Sequence, residues 1–330
     1  MKLKRQRLIV TPSRLRSWRR CQKAHDFAYN QGLQRKAPPV PLLRGTILHQ
    51  LIDAWQTGGD PYQLLEDLAK KYKRILSEEA EYYGDILGDC RNIFDRYVEK
   101  YRDDGFEVVQ SEYEVIVDLS PTLRFKGHID KVVKDVNGHL WIQDHKSHAN
   151  LPDESARFHD LQLLFYVWAW NSSPARQPVE GVIWDYLRTK LPAKPELLKK
   201  GGLSKRKNID TTHAVYYETI FENQLDPNDY ADILEVLSSQ TDQFFRRVTL
   251  PKPPDVMVNQ IVEEAILSAE EIQAAQGKMP IRTMNRDCSS CQFQPLCYAE
   301  LRGLDAPYVK ANYYQQREDD DYVNSSVKHS

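Results

Sequence analysis

The chain has 330 residues, a formal net charge of −2, 41% hydrophobic residues and 28% charged residues. This length supports a large core in one elaborated domain or two. The near balance of charge excludes a uniformly basic DNA-coating protein but leaves room for a local basic groove. No apolar run approaches the roughly 18 residues that span a bilayer, and the basic stretch Met1 to Arg7 has no apolar segment behind it; no signal peptide is read, and a cytoplasmic protein is expected.

Thr11-Pro12-Ser13 reads as a helix start, a capping hydroxyl followed by an early proline, for a helix through Leu15 and Trp18 to about Cys21. Prolines between Lys36 and Pro41 break the chain. A second helix is expected from Arg44-Gly45-Thr46, with Leu48, Leu51, Ile52 and Trp55 at helical spacing and His49 and Asp53 on an adjacent face. Residues 62–103 read as two helices in an inserted layer. From Val108 the period becomes two, with Val109, Tyr113, Val115 and Val117 opposite Glu112, Glu114 and Asp118. Strands over 123–134 and 139–146 follow, joined at Asn137-Gly138. Next come a helix over 156–170, a strand over 182–188, a mobile basic loop from Lys190 to Asn208, a strand over Tyr216–Phe221 and a helix over Asn228–Arg247. Pro251, Pro253 and Pro254 mark a linker into a cysteine-rich end. Beyond about Lys310 the polar chain, with acids at Glu318 to Asp321, is expected to be disordered. Strands followed by a packed helix and another strand imply an α/β fold with a mixed core.

Within the hairpin, side chains alternate, so Leu140, Ile142, Asp144 and Lys146 share one face. The returning chain brings Asp130 to the same region. Two acids beside a lysine at the end of an apolar stripe are costly unless a cation balances them. Mg²⁺ or Mn²⁺ held by few protein ligands suits such a site, and the lysine can meet the charge that grows on phosphorus. The alternative for any single Asp-x-Lys is a solvated charge pair near a turn. Glu112 and Glu114 are read as a solvated face.

Three of the five cysteines, Cys288, Cys291 and Cys297, crowd into ten residues. Structural zinc sites usually come as two short-spaced ligand pairs, whereas here there is one pair, a third cysteine and a distant fourth. Cys21, at a helix end, is the natural fourth, and Cys90 reads as a small buried hydrophobe. Zinc on these ligands stays open as an alternative.

Gly127-His128-Ile129-Asp130 with Asp144-His145-Lys146 resembles the core motif of PD-(D/E)XK nucleases, and more narrowly of their RecB/AddB-type branch, which includes CRISPR-adaptation and phage exonucleases. Gly45 to His49 resembles the branch's upstream metal-ligand helix. Gln162-Leu163-Leu164-Phe165-Tyr166 resembles its downstream helix, and the four cysteines resemble its iron–sulfur subset, although Gln22 stands where proline often follows the first cysteine. The resemblance implies a restriction-endonuclease-like core with a mixed central sheet flanked by helices. It implies a metal held by His49, Asp130, Asp144 and the carbonyl of His145, with Lys146 activating water and Gln162 and Tyr166 lining the site. It also implies a [4Fe–4S] cluster on Cys21, Cys288, Cys291 and Cys297.

On that basis residues 1–43 supply one cluster cysteine, 44–104 form a helical layer, 105–250 the nuclease core with a basic loop at 190–208, 251–309 the cluster-binding region and 310–330 a disordered tail. The implied activity is a Mg²⁺- or Mn²⁺-dependent DNA exonuclease acting on single strands or ends, with 5′→3′ polarity, in recombination, repair or replication. The alternative is a non-catalytic or structure-specific DNA-binding or endonuclease subunit. DNA would be bound without sequence specificity, through the loop from Lys194 to Lys207 and through Lys2, Lys4, Arg5 and Arg7. With no phosphate-binding Gly-x4-Gly-Lys-Ser/Thr segment, the chain is expected either to act alone or to borrow a motor, a helicase or recombination protein being the candidate partner. No membrane association is expected.

Overall fold

The computed structural model describes residues 7–152, 160–206 and 208–317. The expected helix residues 156–159, Lys207, the terminal basic residues Lys2, Lys4 and Arg5 and the acids Glu318 to Asp321 lie outside them. Among the described residues, no helix is long and apolar enough to cross a membrane.

The first strand, β1 (Leu8–Val10), leads into α1 (Pro12–Arg20), whose N-cap Thr11 hydroxyl accepts from the Arg14 N–H. A short α2 (Gln22–His25), a π-helical turn (Asp26–Asn30) and β2 (Leu33–Arg35) follow. A helical layer comes next: α3 (Val40–Gln56), α4 (Pro61–Glu78), α5 (Ala80–Tyr83) and α6 (Ile86–Tyr101). Pro41 sits within the first turn of α3 instead of breaking the chain, as fits a position where no amide donor is required.

The central sheet contains β3 (Glu107–Asp118), β4 (Leu123–Lys134), β5 (Leu140–His148), β6 (Val179–Arg188) and β7 (Phe245–Pro251), with β1 sharing an edge of β4 with β5. The β3–β4, β4–β5 and β6–β7 pairs are antiparallel, whereas β1–β4 and β5–β6 are parallel. The sheet is therefore mixed. On one face α7 (Leu161–Asn171), α1 and α10 (Asp255–Ala274) enclose a core containing Phe125, Ile142, Phe165, Trp184 and Ala269. On the other, the helical layer packs Ile47, Leu51, Phe94 and Tyr97 against Leu187 and Phe245. Cys90 is fully buried in that layer, and Trp170 is buried in the principal core.

Several expectations change. Tyr216–Phe221 belongs to a helix, α8 (His213–Glu222), capped by the Thr212 hydroxyl; its buried residues Val215, Tyr216, Thr219 and Ile220 follow a helical period. The helix expected over Asn228–Arg247 is a 3₁₀ turn (Pro227–Tyr230) and α9 (Ala231–Ser238), after which Arg246 and Arg247 lie in β7. The three prolines introduce the 20-residue helix α10, which buries Ala265 and Ala269 in the core. Val109 is exposed because the β3–β4 register shifts between Val108 and Gln110. Past Lys310, α12 (Ala306–Tyr313) leads into β8 (Tyr314–Gln316), which pairs antiparallel with β2. The chain to Gln316 is thus ordered structure and not a disordered tail.

Candidate active site

The site occupies a split in the sheet. One edge of β4 pairs with β1 at Leu123–Phe125 and with β5 only from Lys131 to Lys134. Beyond Gln143, β5 pairs with β6 alone. The strands diverge at Asp130 and Asp144, opening a notch into which both acids project. The His145 N–H spans it, donating to Asp130 Oδ2 at 3.1 Å.

A backbone irregularity aims Asp130. Leu123, Phe125 and Ile129 face the principal core, yet beyond Asp130 it is Val132 that does so, while the Lys131 ammonium bonds Gln56 on α3. The same reversal occurs on β3, where Tyr113 and Val115 face that core but the Ser111 hydroxyl bonds Asp53 of α3. Between them Glu112 takes a left-handed backbone at φ 47°, a conformation disfavoured for a residue with a Cβ.

Two glycines permit the close approaches that assemble the site. A Cβ on Gly45 would stand 2.7 Å from Ser147 Oγ, so glycine lets α3 lie against β5 and deliver His49. A Cβ on Gly127 would stand 2.8 Å from the Tyr166 ring.

His49 Nε2 lies 2.9 Å from Asp130 Oδ2, and its Nδ1 lies 3.3 Å from Glu112 Oε1. The other Glu112 oxygen is 3.2 Å from His128 Nδ1. The His145 imidazole is buried; Nε2 stands 3.4 Å from the Tyr97 hydroxyl and 3.6 Å from Asp185 Oδ2. Buried Asp185 also accepts from Gln143 at 2.7 Å and from Arg247 at 2.9 Å. Lys146 Nζ lies 2.6 Å from Asp144 Oδ2 and donates to Gln162 Oε1 at 3.0 Å. Gln162 Nε2 in turn donates to Asp144 Oδ1 at 3.1 Å and to the Tyr166 hydroxyl at 3.0 Å. Gln162 is held at the start of α7 by the Asp160 cap.

Six of the seven expected residues, His49, Asp130, Asp144, His145, Lys146 and Gln162, line a cavity of about 710 Å³, and the seventh, Tyr166, accepts from Gln162 behind it. Glu112, read from sequence as a solvated acid, lines it too. No sequence signal marks its turned backbone. The Asp185–Tyr97–Arg247 cluster behind His145 was likewise missed, since its members lie on β6, α6 and β7.

Burial opposes ionisation of both acids, with different outcomes. Burial, followed by the charge of Asp130, pushes the Asp144 carboxyl up to about 7, against the pull of Lys146. Burial also opposes ionisation of Asp130, but the His49 hydrogen bond and charge, the His145 N–H and Lys146 outweigh it and hold that carboxyl below its usual range. Asp144 Oδ2 is buried and makes no aligned hydrogen bond despite the nearby ammonium. Ligand atoms of His49, Asp130 and His145 lie within 4.8 Å of one another. Carboxylate oxygen with imidazole nitrogen makes a ligand set for a divalent metal ion.

The four cysteines Cys21, Cys288, Cys291 and Cys297 line a second cavity, of about 230 Å³, with Phe27 and Phe293. All four are free thiols. Cys21 Sγ accepts from the Thr283 N–H at 3.5 Å and Cys297 Sγ from Arg282 Nε at 3.4 Å.

The basic loop is partly neutralised. Lys190 pairs with Asp210 and Lys194 with Glu222, while Lys205 donates to the Asp229 carbonyl. Of the terminal basic residues, Arg7 is paired with Asp118.

A family model described as the PD-(D/E)XK nuclease superfamily matches residues 9–298. Comparison with curated proteins finds no match. Among solved structures, one described as SSO0001 aligns with 71% of this chain and 80% of its own, at 15% identity and a TM-score of 0.33.

Proposed function

The chain belongs to the PD-(D/E)XK nuclease superfamily, and from that premise we propose that it is a metal-dependent DNA exonuclease of the iron–sulfur RecB type, acting on single strands or ends with 5′→3′ polarity. The observation that carries the catalytic part is the convergence of Asp130, Asp144, Lys146, His49 and Gln162 on one cavity at the strand split. His49, Asp130, Asp144 and the His145 carbonyl would hold Mg²⁺ or Mn²⁺. A bound divalent ion supplies Lewis acidity at a phosphoryl oxygen and lowers the pKa of water. Lys146, fixed between Asp144 and Gln162, positions the attacking water and meets the charge that builds on phosphorus. Gln162 keeps the ammonium aimed and carries Tyr166 with it.

The cysteine cavity supports a [4Fe–4S] assignment. A cluster is favoured by apolar walls and N–H donors to sulfur; Phe27 and Phe293 line the cavity, and the Thr283 N–H and Arg282 Nε donate to two of the sulfurs. The cluster's role here is structural, joining α2 to α11 (Gln294–Leu301). Helicase or recombination partners and a role in repair or replication are part of the same proposal.

The deciding experiment is degradation of 5′- and 3′-labelled single- and double-stranded DNA with Mn²⁺ or Mg²⁺. Stepwise shortening from 5′ ends is expected. DNA binding without turnover in any divalent metal would leave a non-catalytic subunit; cleavage of closed circles would make it an endonuclease.

A further inference from the structure

Along α8, His213, Tyr217 and Phe221 stand four residues apart, so their rings share one face at roughly 6 Å per step. All three are exposed, Phe221 at 58% of its surface. The rings follow in series, His213 and Tyr217 nearly parallel with centroids 5.8 Å apart, and Tyr217 and Phe221 edge to face at 4.9 Å. Three aromatic rings in a row on a solvated helix face are more than helix stability requires, because α8 already buries its opposite face with Tyr216 and Ile220.

The surroundings indicate what covers them. The basic loop wraps α8, bound through the Tyr216 hydroxyl to the Ser204 carbonyl at 3.1 Å and through Lys194 to Glu222 at 2.7 Å. That ion pair neutralises the acid beside Phe221. Lys199, Lys200 and Arg206 are exposed on the loop; Glu196, Glu218 and, just past α8, Asp226 and Asp229 are exposed acids of the same region. The face also continues from the candidate active site. His148, which lines the active cavity, accepts from the Thr189 N–H at 2.9 Å, and the chain proceeds through Lys190 to a cavity of about 410 Å³ shared with His213.

We infer that the His213–Tyr217–Phe221 ladder is a stacking platform for unpaired bases of a single-stranded nucleic acid, with the loop's lysines tracking its phosphates. Only unpaired bases can offer their faces to such rings, and stacking tolerates any sequence. A duplex presents phosphates alone, so the loop would hold it without help from the ladder. The inference rests on the nuclease reading for its substrate class, but it is tested by binding and not by turnover.

The test is fluorescence anisotropy with a labelled oligothymidylate of about 20 nucleotides and a duplex of equal length, in EDTA, on the full chain. Tyr217→Ala and Phe221→Ala are each expected to weaken single-strand binding between about 5- and 150-fold, the range of one lost base stack. Duplex affinity should stay within about twofold, and Tyr217→Trp should retain tight single-strand binding. Both alanine side chains replace exposed rings, and unchanged thermal melting will verify folding. Crosslinking of 5-iodouridine oligonucleotides to Tyr217 or Phe221 gives an independent readout. Equal losses on duplex and single strand, unchanged single-strand affinity, or wild-type protein that does not bind single strands would overturn the inference. Single-strand binding with the expected losses but no cleavage would leave the ladder standing while removing the nuclease activity.

Discussion

The left-handed glutamate at the site offers a substitution that separates stability from function. Glu112→Gly removes both a strained backbone and the carboxylate facing His49 Nδ1 at 3.3 Å. A residue with a Cβ in this region costs about 1–2 kcal/mol, which glycine relieves. Glycine's extra unfolded-state freedom costs about 0.5–1 kcal/mol, and the partly exposed His49–Glu112 pair contributes about 0–1 kcal/mol. Metal-free stability should therefore change by no more than about 1.5 kcal/mol, in either direction. Metal affinity should not be spared. In the proposed site a carboxylate on Nδ1 would fix the tautomer that leaves Nε2 as the ligand atom, and losing such a partner typically weakens binding about 10- to 100-fold, or about 1.4–2.7 kcal/mol. Glu112→Gln, which keeps an acceptor for Nδ1–H, should lose less than about tenfold. The assays are Mn²⁺ titration calorimetry and thermal melting in EDTA. Wild-type Mn²⁺ affinity in Glu112→Gly would refute the reasoning, as would a metal-free destabilisation well beyond that range.

Lys146→Ala should reduce DNA cleavage at least about 100-fold while Mn²⁺ affinity stays within a few-fold; a matching loss of metal binding would show that the lysine acts through the site's structure and not on the phosphate. Cys291→Ser should abolish brown colour and absorbance near about 400 nm and lower iron content, measured after anaerobic purification; a colourless wild-type protein holding zinc would remove the cluster. Asp210 is held down to about 2, first by hydrogen bonds from the Arg188 guanidinium and then, against burial, by Lys190. Its ordinary value is about 3.9, so the stabilisation is complete above that pH and is lost as pH falls towards 2. Because the group is a third exposed, the effect is about 1 kcal/mol or less. Acid melting of Asp210→Asn should accordingly show a shallower loss between pH 4 and 2 than wild type.

The parts of the site legible in the sequence were those encoded locally. Asn137-Gly138 sets the hairpin, alternation along β5 puts Asp144 and Lys146 together, and helical spacing places Gln162 under Tyr166. Elements failed where composition misled. Tyr216–Phe221, rich in aromatic and β-branched residues, reads as a strand until its buried positions are seen at helical intervals. The helix α10 was hidden behind three prolines that read as a linker. Other features could not be read because they depend on partners distant in the chain. The strand split arises because β1, more than a hundred residues upstream, takes the β4 edge at Leu123–Phe125 while β5 takes it from Lys131. The turn at Glu112 follows from matching kinks in two strands, and nothing in Ser-Glu-Tyr announces a positive φ.

The pairing of β2 with β8 has a consequence for the birth of the protein. Leu33–Arg35 must wait for Tyr314–Gln316, about 280 residues later, before its backbone donors and acceptors are satisfied. At a synthesis rate of about 5–20 residues per second this interval lasts roughly 15–60 s. Throughout it Phe27, which finally packs against Phe293 of the C-terminal region, lacks that cover. The emerging N-terminal segment is thus a natural client for a ribosome-associated chaperone, and premature termination upstream of α11 leaves the same apolar surface permanently open to proteolysis.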